Sequence, residues 1–325
     1  MAIYANNTNT IVASHLNQTS KERLTYFEKI KLEIFSFAVS EVYAIAFFIT
    51  YMRVQLSITS GKMYNDSQKG NSTENSTQFN KDSNSSYSLF LHLLENFHQF
   101  GVENIVTHVR KVVEQCFNNI PVTEKVTLKG IVNLLEQVQN QMSSSLGSLI
   151  EENASIVFST NKEHLTDEEL NSNSRTFQEM RNCSKMIDEI LDIVKISDFN
   201  KVIGNCTNIG FSNLYDFMSE CFLKFEMDDD HQSSGEQAFM NDRQFINPNK
   251  IMIPLVKLLP EIWRQLNSYE SRYDQINQRK FDFNDNKKNR NSLLVQYLLC
   301  SDSLTCFSAN LYEAFCNEHE ISNGQ

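Results

Sequence analysis

Residues Thr19–Gly61 read TSKERLTYFEKIKLEIFSFAVSEVYAIAFFITYMRVQLSITSG, and the fold class turns on what buries them. Thr19 and Glu22 have the T-x-x-E spacing of a capping box, in which each side chain satisfies a backbone donor at the other's position. Gly61 is placed to close a helix in the left-handed conformation. No proline interrupts the span, which would reach about 60 Å as one helix. Its first third is amphipathic and basic, whereas Ile34 to Met52 is apolar almost all round. A helix of that second kind must be buried, in a large core or in a bilayer.

The rest of the chain supplies enough material for a core. It has 325 residues, 41% of them hydrophobic, with 9 Gly and 4 Pro. So few turn formers disfavour β-rich architectures and glycine-dependent phosphate sites. Leu, Ile, Val and Phe recur at spacings of three and four, which predicts an all-α protein, and about seven helices with polar excursions fit one helical bundle better than several domains. The formal charge of −11 argues against nucleic acid as a partner, because that role needs a basic footprint. The seven cysteines include no C-x-x-C pair and read as buried or half-buried thiols of a reducing compartment. The opening MAIYANNTNTIV has neither the basic nor the apolar region of a secretion signal, so the nine N-x-[ST] matches are taken as products of composition.

The predicted organisation is a flexible segment over 1–18, a bundle domain over 19–317 and a tail over 318–325. Polar, low-complexity excursions are expected at about 62–86, 151–178, 226–248 and 269–291. Between them, helices are predicted at 87–117, 124–150 and 179–196. Residues 198–225 are expected as two helical pieces meeting near Gly204 to Gly210. A further helix is expected over 249–268, with a stripe of Met252, Leu255, Leu259, Ile262 and Leu266 and a kink at Pro260. A closing helix is predicted at 293–317.

Few constellations suggest chemistry. His92, Glu95 and His98 lie at i, i+3 and i+6, but a di-iron bundle uses the E-x-x-H pair twice with two further glutamates, and the chain has no second E-x-x-H. Asp228, Asp229, Asp230 and His231 lack the glycine and closing glutamate of an EF-hand loop. Neither a nucleophile elbow nor a Walker loop occurs. The residues give no support to an enzyme, a cofactor or a small-molecule substrate. What stands out is surface. Lys21, Arg23, Lys29 and Lys31 give the opening helix a basic face beside Leu24, Phe27 and Ile30, a combination suited to receiving a partner helix.

Four blocks carry a resemblance. They are Ala44–Asp66 with its YMRVQLSITSGKMYND, Ser197–Phe222 (SDFNKVIGNCTNIGFSNLYDFMSECF), Ile253–Leu266 (IPLVKLLPEIWRQL) and Leu304–Cys316 (LTCFSANLYEAFC). Together and in this order they resemble the peroxin-3 family, docking receptors for peroxisomal membrane-protein import. The resemblance implies an all-α fold, a single twisted helical bundle with one long central helix, facing the cytosol at the peroxisomal membrane. It also implies a non-enzymatic receptor that binds the N-terminal amphipathic helix of peroxin-19, the shuttle for membrane-protein cargo. Family groove positions fall on Leu16, Arg23, Phe27, Met63 and Lys257, with phenylalanine at 27 where the well-known animal members carry tryptophan. Members of the family begin with a membrane-spanning segment and a basic flank, whereas this sequence starts inside the soluble domain. Two other readings are an integral membrane protein spanning the bilayer at 34–56 and a metal-dependent bundle enzyme around His92, Glu95 and His98.

Overall fold

The computed structural model describes residues 20–70, 86–159, 175–233, 247–267 and 290–317. The segment 1–18, the tail 318–325 and the central parts of the four polar excursions lie outside the described residues. The described chain is all-α apart from one two-stranded ladder.

The long helix, α1, runs over Ser20–Gly70. It is followed by a short helix α2 (86–92), a turn at 93–94, a π-turn over Phe97–Gly101 and α3 (Val102–Phe117). Strand β1 (Lys125–Val126) precedes α4 (Leu128–Ser144) and α5 (Leu146–Val157). Next come α6 (Arg175–Ile193), α7 (Ser197–Ser233), a 3-10 turn over Pro248–Lys250 and β2 (Ile253–Pro254). Helices α8 (Leu255–Asn267), α9 (Arg290–Leu299) and α10 (Asp302–Cys316) complete the chain.

Helix α1 touches α3, α6, α7, α8, α9 and α10, so its neighbours surround it. Phe35, Ala38, Val39, Ala46, Phe47, Tyr51, Val54 and Ile58 are wholly excluded from solvent. Tyr51 marks the centre. Its ring meets Phe47, Phe97, Phe158 and Phe199 at centroid distances of 5.3–6.1 Å, and its hydroxyl donates to the Ile150 carbonyl at 3.3 Å. Burial of this kind, about 25 cal/mol per Å² of apolar surface, is the main favourable term holding the bundle together. By length and composition α1 is the one helix among the described residues that could cross a membrane, yet 72% of its apolar window is buried inside the protein. The bundle already covers most of the surface that a span over 34–56 would offer to lipid.

Several boundaries differ from the sequence reading. Gly61 does not end α1. A Cβ there would lie 2.6 Å from the Phe315 Cβ and 2.9 Å from the Tyr312 carbonyl oxygen, so the glycine serves the close approach of α10. The start of the 62–86 excursion is therefore helical. Lys62 pairs with Glu189 at 2.8 Å, and Asn65 donates to the Phe315 carbonyl at 2.6 Å. Gly210 likewise does not divide α7, because its missing side chain admits Val42 of α1.

The predicted helix 124–150 breaks at Ser145, whose amide turns back to the Met142 carbonyl at 3.1 Å. Residues 151–157, expected in a loop, continue α5 and bury Asn153 and Val157. Asn153 donates to the Gly101 carbonyl at 2.7 Å, at the point where the π-turn shifts the backbone ladder of 87–117. This asparagine sits in one of the N-x-[ST] matches, and its burial removes it from modification in the folded chain. Helix α7 extends to Ser233 through the start of the expected acidic loop, and the closing helix is two helices broken at Cys300 and Ser301. Of the thiols, Cys116, Cys183, Cys206 and Cys221 are buried, whereas Cys300 and Cys306 are exposed and Cys316 is half-buried. Burial pushes Cys183 and Cys206 up to about 11, which makes both poor nucleophiles.

Glycine substitutions separate these roles. Gly61→Ala and Gly210→Ala are expected to destabilise the bundle by about 1–3 kcal/mol through overpacking. Gly204→Ala, whose new methyl meets nothing within 4 Å, is expected to stabilise it by about 0.5–1 kcal/mol through helix propensity. Urea unfolding followed by circular dichroism distinguishes the two signs.

Candidate functional site

The site is built where the first turns of α1 meet the segment after α3. Lys31, expected on the basic surface, is instead 1% exposed. Its ammonium donates to the Phe117 carbonyl at 2.9 Å, the Ile120 carbonyl at 2.6 Å and Glu28 Oε2 at 2.7 Å. It thus caps the C-terminus of α3, where the outward carbonyls and the helix dipole favour a cation. An aliphatic stem packed in the bundle with a charged tip on carbonyls explains how a lysine enters this interior. Glu28 completes the arrangement, because its Oε1 accepts from the Val122 amide at 2.8 Å.

Val122 then carries the connection further. Its carbonyl accepts from the Val256 amide at 2.7 Å, and the Glu124 carbonyl accepts from the Leu255 amide at 2.9 Å. Two of the amides that open α8 are satisfied this way, as buried helix ends require. The ladder continues antiparallel, with Lys125 opposite Pro254 and Val126 opposite Ile253. Met252 is therefore not part of a buried helical stripe. It precedes β2 and is 60% exposed, while Ile253 beside it is buried. The alternation follows from the strand, in which successive side chains face opposite ways.

Three of the expected docking positions lie on the elements that meet here. Arg23 is exposed, Phe27 is half-buried against the core edge, and Lys257 is exposed in the first turn of α8. The Glu28–Val122–Val256 connection holds Lys257 at the same end of the bundle as Phe27. Leu24 is 44% exposed beside them, and Tyr26 meets the Phe27 ring edge-on at 6.2 Å. Burial raises the Tyr26 phenol above its ordinary value. Met63 does not join the group. It is exposed on α1, but 36 residues beyond Phe27, roughly 54 Å along a helix axis. A position assigned by spacing fails here because the helix runs on through Gly61 and takes Met63 to the opposite end. Leu16 lies outside the described residues.

The histidine constellation is spread along the chain, with His92 ending α2, Glu95 following the turn at 93–94 and His98 in the π-turn. Among the described residues no three His, Cys, Asp or Glu side chains converge to hold an ion. His92 pairs with Glu95 at 2.9 Å in solvent, and the His98 ring lies 5.4 Å from Phe48. The two imidazoles edge an open groove with Leu91 and Leu94.

Comparison with known proteins follows the same outline. A family model described as Peroxin-3 matches residues 59–314, well over half of the chain. The chain belongs to the peroxin-3 family. Its relatives include peroxisomal biogenesis factor 3 of Rattus norvegicus, 25% identical over 319 residues, covering 97% of this chain and 77% of the relative. The Mus musculus protein of that name is 24% identical over 310 residues, covering 94% and 75%. The Homo sapiens protein is 23% identical over 325 residues, covering 97% and 77%. Membership of the peroxin-3 family places the chain in peroxisome membrane biogenesis and agrees with a helical bundle. The family match begins at Thr59, whereas alignments covering 97% of the chain also take in the Arg23–Phe27 end.

The lysine clamp makes a direct prediction. Lys31→Met should cost about 3 kcal/mol, because Glu28 and two carbonyls lose their shared cation. Lys29→Met, on the exposed face, should stay within about 0.5 kcal/mol of the parent. Denaturant midpoints of the two variants check this; equal midpoints would mean that Lys31 does not hold the turn.

Proposed function

We propose that this chain is a docking receptor for the N-terminal amphipathic helix of peroxin-19, acting at the peroxisomal membrane with its bundle toward the cytosol. One observation carries the reading. The Glu28–Val122–Val256 connection ties the first turns of α1, which carry Arg23 and Phe27, to the start of α8, which carries Lys257, although 234 residues separate Arg23 from Lys257. Family membership supports it, because the general role in peroxisome membrane biogenesis requires a way to receive membrane-protein cargo.

The chemistry suits a helix with an apolar stripe and acidic flanks. Phe27 and Leu24 offer partly exposed apolar surface for the stripe, and desolvation of such anchors dominates the energetics of small interfaces. Arg23 and Lys257 add positive charge at this end, which speeds encounter with an acidic partner and helps fix its direction. Phenylalanine at 27 supplies less area than tryptophan and no indole N–H. The contact with a partner at this position is accordingly apolar, without a directed hydrogen bond from the ring.

Phe27→Ala should weaken binding of a peroxin-19 N-terminal peptide by at least about 1 kcal/mol in calorimetry. The far-UV circular dichroism melt should stay close to the parent, since Phe27 lies at the core edge. Unchanged affinity would remove this end of the bundle from the reading. A matching loss in the melt and in affinity would assign Phe27 to folding alone.

A further inference from the structure

The two-stranded ladder has features that the docking residues leave unused. Met252 is the most exposed of the large apolar side chains among the described residues, at 60%. It stands among lysines: Lys250 immediately before it, Lys125 in the opposite strand, Lys129 in the first turn of α4 and Lys257 in the first turn of α8. All four are exposed, and among the described residues none of their side chains makes an ion pair or hydrogen bond. Glu124 is the acidic residue directly before β1. In a protein of net charge −11, such a lysine cluster around an exposed thioether is a local reversal of the overall field.

We propose that this ladder is a second half of the docking face. Met252 would receive the far end of the same acidic amphipathic helix whose near end lies on Leu24 and Phe27, with Lys125 and Lys250 pairing its carboxylates. The extension rests on the docking reading above. The dimensions allow it. Val256, tied through Val122 to Glu28, lies four residues from Met252, at most about 13 Å of extended chain. A helix of about 18 residues is about 27 Å long and can cover both positions. An unbranched thioether adapts to irregular apolar partners, which suits an anchor at the edge of a site. Charge complementarity selects the occupant: beside Lys257, an acidic helix gains from three further lysines that pair with none of the described residues, whereas a basic or neutral segment does not.

The test uses the full chain and a synthetic peroxin-19 N-terminal peptide, with Phe27→Ala measured in parallel. Met252→Ala should weaken binding about fivefold or more, as a partly buried anchor does, while Met252→Leu retains it. The double reversal Lys125→Glu with Lys250→Glu should slow association about tenfold at low salt, and the difference should shrink in 0.5 M salt. Both sites are exposed, so circular dichroism melts should match the parent. If Phe27→Ala weakens binding while Met252→Ala and the double reversal bind like the parent, the ladder is outside the face and the docking reading stands alone. If none of the variants changes affinity, both proposals fall.

Discussion

Helix ends buried against an apolar axis have no water to satisfy their carbonyls, and α1 supplies the missing donors itself. Lys31 caps α3 at Phe117, Gln55 donates to Phe90 in α2 at 2.7 Å, Arg53 to Leu299 at the end of α9 at 3.3 Å, and Asn65 to Phe315 near the end of α10. Each donor comes from the central helix and each acceptor from a different neighbour. An unmet buried carbonyl costs about as much as a lost hydrogen bond, so these four side chains fix where their neighbours stop as well as how they pack. The apolar residues between them fill the core. Packing and capping are thus two services of one helix.

That double service explains why a sequence so close to a membrane span belongs in a bundle. A lipid-facing helix has no acceptors around it for Arg53 or Gln55, and an arginine or aspartate near the bilayer centre costs about 2.5–3.5 kcal/mol on the insertion scale. Inside the bundle the same groups meet carbonyls of neighbouring helices. The close approaches at Gly61 and Gly210 serve the same end, letting α10 and α7 come near enough to α1 for short side chains to reach. At its N-terminal end the scheme has a functional consequence. The Lys31 clamp orders the turn after α3, that turn pairs with the start of α8, and the pairing sets Lys257 and the ladder beside the exposed first turns of α1.

Much of this was legible in the sequence where a pattern repeats locally. The stripes Ile131, Leu135, Val138 and Cys183, Ile187, Ile190 read correctly as buried helix faces because their period is written in adjacent turns. What was not legible depends on distant partners. Gly61 and Gly210 read as breaks because a missing Cβ serves a helix end and a close crossing equally well, and the deciding neighbours, Phe315 and Val42, are far away in sequence. Lys31 read as surface because a cation in an amphipathic turn looks solvated until its acceptors at 117 and 120 are known. The ladder escaped notice because two residues per strand leave no alternation to see. Of the expected docking positions, Arg23 and Phe27 lie on the first turns of α1 and Lys257 on the start of α8, which the Glu28–Val122–Val256 connection ties together, and Met63 is carried away by the unbroken helix.

The central claim is that the apolar length of α1 is satisfied by protein on all sides. Native-state hydrogen exchange of the chain in detergent-free buffer tests it most directly. Buried amides in the middle of the bundle's axis should open only by global unfolding. The account predicts that amides from Ile34 to Ile58 are the slowest in the chain and share one opening free energy, equal to that from denaturant unfolding. Rapid exchange across Ile34–Ile58 in buffer, with protection appearing only when lipid vesicles are added, would contradict it.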